Sequence, residues 1–325
     1  MGSKKILFIS KGIDSASSRY RGFQFFSYLQ EHGFNVSHVT ASGGLLAILN
    51  TLWQASQADK VILLRKTFPL VISWLLGIVS KQLIFDLDDA IFCRSDGSLS
   101  KTRMDRFKFI CKHSDHIFAG NQFLAENSLK FTEAVTVIPT CLEVSKYKLV
   151  AEQADDTIDL VWIGSQSTSK YLIDILPMLE DIAKKHTNLR LKIIADFDLK
   201  DVKIPVLTIP WSEETEAKEL ACSHIGIAPM RDNDWTRGKC ALKVLQYMAA
   251  SLPVISANVG VNSEAVIDGE TGYLVSTTDE WAVALDKLLK DRALRNSMGS
   301  AGYERVIEQY DITVIFQRIL AILEQ

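Results

Sequence analysis

A chain of 325 residues, 47% hydrophobic and 23% charged, has enough apolar material for two ordinary cores and is neither disordered nor fibrous. Its formal net charge of −3 argues against a dedicated nucleic-acid binder, which needs a basic excess. The five cysteines, Cys93, Cys111, Cys141, Cys222 and Cys240, form no CxxC pair; an odd, scattered set reads as free thiols in a reducing compartment.

The first element is a strand, KKILFIS, with no secretory leader before it, so a cytoplasmic location is expected. SSRYRGFQFFSYLQEHG reads as one helix, opened by Ser and ended by Gly33. Gly12 allows close backbone approach before it. Arg19 and Arg21 lie at its opening turns, where helix amides favour an anion; the alternative is two surface arginines. No GxGxxG is present, so the nicotinamide fingerprint is missing.

NVSHVT, the helical GLLAILNTLWQASQ and the strand KVILLRK follow. PLVISWLLGIVS, Pro69–Ser80, is too short an apolar run to span a bilayer. It reads either as a buried helix or as one resting on a membrane surface, with Lys66 and Lys81 as its cationic flanks.

The next strand, LIFDLDDAIF, delivers Asp86, Asp88 and Asp89 at its end. The run resembles the start of a haloacid-dehalogenase-type phosphatase. That pattern expects Thr where Ala90 stands, and it usually lies on a first strand, whereas here three strands precede it. Three carboxylates this close repel and raise at least one pKa. One of them acting in chemistry and another capping a helix or forming an ion pair are both open readings. Cys111, His113 and His116 lack a fourth ligand, so no zinc site is expected.

HIFAGN, FLAENSLKF and VTVIPT complete the first half, and the polar stretch Glu143–Asp156 reads as a linker. The strand–helix pattern then restarts with TIDLVWIGS, SKYLIDILPMLEDIAKKH, RLKIIAD, VLTIP, AKELACS, IGIAPM, KCALKVLQYMAA and PVISAN. Continuous apolar strands alternating with helices predict two parallel, doubly wound α/β domains with a cleft between them, ligands lying beyond the strand carboxyl ends.

Two strand-end loops draw attention. GSQSTSK, Gly164–Lys170, offers backbone amides, small hydroxyls and a lysine in the manner of a phosphate cradle. In RDNDWTRGKCALKVLQYMAA, Arg237, Lys239 and Lys243 surround a helix start, with Lys239 and Lys243 one turn apart, which suits a diphosphate. Asp232 and Asp234 are placed to accept hydroxyls; a solvated charged loop is the bland alternative.

QYMAASLPVISANVGVNSEAVIDGETGYLV, Gln246–Val275, resembles the donor-binding segment of family 4 glycosyltransferases of the GT-B fold, which begins EAMA and continues through PVI, GG, PE, DG and NG. VTVIPTCLEVSKY resembles the approach to that family's interdomain linker, and WIGSQSTSK its phosphate-binding turn, with Lys170 at the family lysine's spacing. The resemblance covers most of the chain after Ile117.

The resemblance implies a retaining, metal-independent transferase of bacterial surface-polysaccharide type, with no cofactor. It implies a nucleotide-diphosphate sugar donor bound through Gly12, Arg19, Gly164, Ser165, Lys170, Arg237, Lys239, Lys243, Gln246, Gly260, Val261 and Asn262, with Asp88 or Asp89 as the catalytic or orienting acid. The acceptor would be a glycan or a lipid-linked hydroxyl, reached from the cytoplasm with peripheral contact at the inner membrane. Domains are expected at 1–150 (acceptor) and 151–305 (donor), a C-terminal helix of about 306–325 packing back on the first. The sequence departs from the family at its usual glutamate pair, which becomes Gly238 and Gln246, and at an arginine, which becomes Ser165. These departures keep open a degenerate nucleotide-sugar-binding subunit; a nucleotide-sugar epimerase of the same fold is a second enzyme alternative.

Overall fold

The computed structural model describes residues 3–40, 43–149, 153 and 156–325. The chain forms two compact units. Unit 1 comprises Met1–Thr140, Asn233–Cys240 and Ile312–Gln325; unit 2 comprises Cys141–Asp232 and Ala241–Asp311.

Unit 1 is built on a parallel sheet of β1 (Lys5–Ser10), β2 (Asn35–Thr40), β3 (Lys60–Leu64), β4 (Leu83–Leu87), β5 (His116–Ala119) and β6 (Val135–Val137), in the order β2-β1-β3-β4-β5-β6. β3 and β4 are buried at every residue, as a parallel strand covered on both faces must be. Right-handed crossovers put α1 (Ala16–Arg21) and α2 (Phe26–Glu31) on one face of the sheet. The same rule puts α3 (Leu45–Gln57), α4 (Leu70–Val79), α5 (Lys101–His113) and α6 (Gln122–Leu129) on the other. The α3–α6 face closes over Leu7, Ile9, Leu63, Phe85 and Ile117.

Unit 2 repeats the plan with β7 (Ile158–Ile163), β8 (Leu189–Ile194), β9 (Val206–Ile209), β10 (Ile225–Ala228), β11 (Val254–Ala257) and β12 (Gly272–Val275), ordered β12-β11-β10-β7-β8-β9. Its first helices are α7 (Ser169–Ala183) and α8 (Glu216–Ala221). The short α9 (Asp234–Arg237) belongs to unit 1, while α10 (Leu242–Ala249), α11 (Asn262–Ala265), α12 (Thr278–Lys290) and α13 (Arg292–Tyr310) return to unit 2. The last helix, α14 (Ile312–Leu323), lies in unit 1, where Phe316 stacks on Phe25 with ring centres 6.4 Å apart and meets the tilted ring of Tyr28 at 5.4 Å. The two doubly wound Rossmann-like units are the fold class read from the strand–helix alternation.

Three local readings are corrected. The single first helix is broken at Gly22, where a Cβ would meet Leu64 Cδ1 at 2.8 Å and the Ser18 carbonyl oxygen at 2.9 Å; close packing on β3 wins over helix continuity. The polar linker is partly packed: Val144–Tyr147 is a 3₁₀ turn of unit 2 with Val144 and Tyr147 buried, while the boundary expected at 150/151 falls outside the described residues. KCALKVLQYMAA does not run as one helix from its start. Ala241 is left-handed at φ 55°, so Lys239 and Lys243 are not one turn apart on one face.

Candidate functional site

In unit 2 the sheet order reverses between β7 and β10, and the crevice at such a switch point is where doubly wound sheets bind ligands. The Gly164–Lys170 turn leaves β7 there. Ser165 N–H donates to Thr168 Oγ1 (3.2 Å), Thr168 Oγ1–H donates to the Ser165 carbonyl (3.0 Å), and Ser169 N–H donates to the same carbonyl (3.2 Å) before α7 begins. Only glycine fits at 164, because a Cβ would run into the Trp162 ring and lie 2.9 Å from Thr168 Oγ1. Lys243, on α10, stacks over the Trp162 ring at 4.4 Å, and Lys170 lies 5.1 Å from the centre of the Tyr171 ring. Two cations and a 15-residue helix N-terminus thus attend the carboxyl-end edge of this sheet.

After β11, Gly260 adopts φ 53° and turns the chain through Val261 into α11. Asn262 is 1% exposed, and its amide Nδ2 has no hydrogen-bond partner, a buried donor left for something else to satisfy.

Gln246 is not an open hydroxyl-binding amide. Its Nε2 donates to Glu216 Oε1 (2.6 Å). Glu216 also accepts from the Tyr147 hydroxyl (2.5 Å) and from the Trp211 indole N–H (2.6 Å). An amide at 246 can donate to this buried carboxylate, whereas a glutamate there would face it with like charge. Glu216, Trp211 and Tyr147 were not legible as site residues. They sit 30, 35 and 99 residues from Gln246, and only the fold joins them.

Unit 1 carries a second assembly at the carboxyl ends of β1, β3, β4 and β5. Asp86 accepts two hydrogen bonds from Arg21, Nε at 2.9 Å and Nη2 at 2.6 Å, while Arg21 Nη1 donates to the Ile138 carbonyl. Arg21 is 5% exposed, so it is a core ion-pair partner and not an anion ligand. Asp89 pairs with Arg65 and with Lys239, whose Nζ is 2.9 Å away. Asp88 Oδ1 lies 3.6 Å from Arg65 Nε, beyond hydrogen-bond length, and has no hydrogen-bond partner.

Three carboxylates therefore meet three cations. Burial lifts the Asp86 carboxyl to about 6 against the pull of Arg21, and burial likewise lifts Asp88, with Arg65 opposing it. Desolvation, more than mutual repulsion, is the cause.

Lys239 is therefore committed to Asp89 in unit 1. Asn121 holds the same segment: it caps α6 by accepting from Leu124 N–H and donates to the Arg237 and Lys239 carbonyls at 3.2 and 3.1 Å. Gly238 lies against Ala90, whose backbone nitrogen would be 2.5 Å from a Cβ there. Arg237 pairs with Asp234 at 3.7 Å.

Gly12 (φ +107°) donates its N–H to Ser10 Oγ, and Arg19 Nη1 donates to the Ile13 carbonyl; both belong to unit 1. Cys111 is buried in the unit 1 core and its thiol is pushed up to about 12 by burial. His113 bonds the Phe109 carbonyl and His116 the Thr136 hydroxyl.

Residues 157–291 match the family described as glycosyl transferases group 1. The chain is 37% identical over 86 residues to an alpha-1,3/1,6-mannosyltransferase of Neurospora crassa, covering 25% of this chain and 18% of that protein. It is 32% identical over 77 residues to the Staphylococcus aureus capsular polysaccharide biosynthesis glycosyltransferase CapM, covering 23% of this chain and 20% of that protein. The matches thus span about a fifth of these relatives' own lengths. The structure resembles that of Anabaena HepE in complex with UDP and glucose, with a TM-score of 0.74, 15% identity and 99% of both chains covered.

Proposed function

We propose, from the match of residues 157–291 to the group 1 glycosyltransferases and from the GT-B fold, that the chain moves a sugar from a nucleoside-diphosphate sugar to an acceptor hydroxyl. The observation that carries the reading is the Gly164–Lys170 turn at the switch point of unit 2, within the matched segment, with Lys170 and Lys243 as its cations.

Cleaving the sugar–phosphate bond builds negative charge on the departing diphosphate. Preorganised amides and ammonium groups that meet this charge lower the barrier. Here the α7 amides, Lys170 and Lys243 supply that stabilisation, so no metal is required by the mechanism. Gly260, Val261 and Asn262 close the other side of the diphosphate, the Asn262 amide finding an acceptor there. Gln246 and Glu216 act as a pair that shapes the pocket for the nucleoside.

In unit 1, Asp88 is the acid that orients the acceptor hydroxyl, because it has an oxygen left unsatisfied. Asp89, Arg65 and Lys239 hold it in place. We read the reaction as retaining and its product as cell-surface polysaccharide or lipopolysaccharide, which the relation to CapM supports. UDP is the first nucleotide to test, on the example of HepE.

The test is a thermal-shift screen of the protein against UDP, GDP, ADP and CMP and their sugar conjugates, with and without magnesium. A ligand that binds only the folded state raises the melting temperature. A shift with one nucleoside diphosphate, equal with and without magnesium, is the expected result; no shift with any of them overturns the reading.

A further inference from the structure

Helices α3 and α4 are neighbours on one face of the unit 1 sheet, and neither contains a charged residue. Among the described residues, eight of the fifteen exposed large hydrophobic residues lie on these two helices, so the exposure is concentrated, not scattered. Leu46, Trp53, Val71 and Ile78 are 82%, 64%, 67% and 61% exposed, and Leu49 and Trp74 lie among them. Between the helices runs a groove of about 340 Å³ with Ile48, Phe68 and Ile72 in its lining. Two cations, Lys66 and Arg106, also line it. Lys66 sits 5.0 Å from the centre of the Phe68 ring.

The charge beside this face has one dominant sign. α5 packs against α4 and carries Lys101, Arg103, Arg106, Lys108 and Lys112 against a lone Asp105; Arg103 is held by the Cys93 carbonyl and Lys108 lies over the Phe131 ring, which leaves Lys101, Arg106 and Lys112 as the cations without such a contact. An uncharged face bearing two exposed tryptophans, bordered by a cationic helix, matches the layered chemistry of an anionic bilayer: acyl chains, then the interface that tryptophan prefers, then phosphates. Among the described residues no helix is long and apolar enough to cross a membrane, so the contact this geometry permits is peripheral.

We propose that the α3–α4 face docks unit 1 on an anionic lipid bilayer, the groove taking an acyl chain while Lys66, Arg106 and the α5 cations meet headgroup phosphates. This inference stands on unit 1 alone and does not depend on the donor chemistry of unit 2.

The test is flotation of the full chain with phosphatidylcholine vesicles made with and without phosphatidylglycerol. The chain floats with the anionic vesicles and its tryptophan emission moves to the blue. The triple variant Leu46→Gln, Trp53→Gln, Trp74→Gln changes only exposed side chains, so it keeps the wild-type melting temperature and loses at least about tenfold in vesicle partition. Lys101→Glu with Lys112→Glu loses at least about fivefold per charge, and added salt reproduces that loss in the wild type.

Absence of flotation with anionic vesicles overturns the proposal, as does equal flotation of the folded triple variant. A wild-type dimer that the triple variant makes monomeric, with neither floating, also overturns it and assigns the face to a second copy of the chain. The nucleotide thermal shift, measured on the same variants, is read separately, so failure of the donor reading and failure of this one are distinguishable.

Discussion

Lys239 Nζ and Asp89 Oδ1 are 2.9 Å apart although 150 residues separate them in the chain. The contact ties the Asn233–Cys240 excursion to the carboxyl end of β4, inside unit 1. It converts a lysine that the sequence offers as a diphosphate ligand into the counter-ion of a buried carboxylate.

Lys239→Ala is therefore a stability variant. Asp89 keeps Arg65, so the loss is smaller than for a fully orphaned buried charge, about 2 kcal/mol. Urea unfolding shows the loss, while calorimetric titration with UDP gives the wild-type affinity. A wild-type stability combined with weakened nucleotide binding would return Lys239 to the donor site.

Lys170→Ala and Lys243→Ala behave in the opposite way. Each removes one charge-assisted contact to the diphosphate and weakens nucleoside-diphosphate binding by about 1–3 kcal/mol, with little change in melting temperature. Unchanged affinity in both variants would remove the phosphate from the β7–α7 turn.

The strand–helix alternation made the fold legible, because buried parallel strands such as KVILL and LIFDL are continuous apolar runs and little else folds that way. Gly33 at the end of the first helical segment (φ +82°) was equally readable. The site was legible where its parts are local, as in GSQSTSK. It was not legible where partners are distant: Arg21 finds Asp86 across 65 residues, and Tyr147 finds Glu216 across 69. Arg65 carried a weak signal as a cation at a strand end, but its left-handed φ of 52° and its carboxylate partners come only from the fold.

Gly238 and Gln246 stand where the resemblance expects glutamates, for steric and electrostatic reasons, so a glutamate at either position is expected to fail. Gly238→Glu drives a side chain into the Ala90 backbone and costs several kcal/mol, on the order of other overpacked buried sites. Gln246→Glu sets a carboxylate against Glu216 where an amide now donates at 2.6 Å, and the protein melts lower. Both variants are checked by thermal melting beside a nucleotide titration. Higher nucleotide affinity at wild-type stability in either one would mean that the position is an empty carboxylate site.

Asp88→Asn and Asp89→Asn separate chemistry from scaffold. Asp88 has the unsatisfied oxygen, so Asp88→Asn keeps the fold and nucleotide affinity but lowers turnover by about a hundredfold or more. Asp89→Asn leaves Arg65 and Lys239 short of their shared acceptor and lowers the melting temperature. Full turnover in Asp88→Asn, with any acceptor that supports the wild type, would make the whole acidic strand end structural.

The pH dependence follows from Asp86. Burial raises its carboxyl to about 6 in the folded state, from the ordinary value of 3.8, while Arg21 pulls the other way and itself stays charged. A raised carboxyl binds its proton more tightly when folded. Its contribution to stability is therefore fully present below about pH 4 and is lost as pH rises through 6. The difference is about 3 kcal/mol for one group shifted by roughly two units. Asp86→Asn removes this titration and changes the partner of Arg21, while Asp88, also raised by burial, remains in both proteins. Urea unfolding of wild type and Asp86→Asn from pH 3 to 7.5 reads this contribution: the stability of the wild type relative to the variant falls by about 3 kcal/mol across the window. Parallel curves would mean that Arg21 keeps Asp86 ionised throughout, the ion pair outweighing the cost of burial.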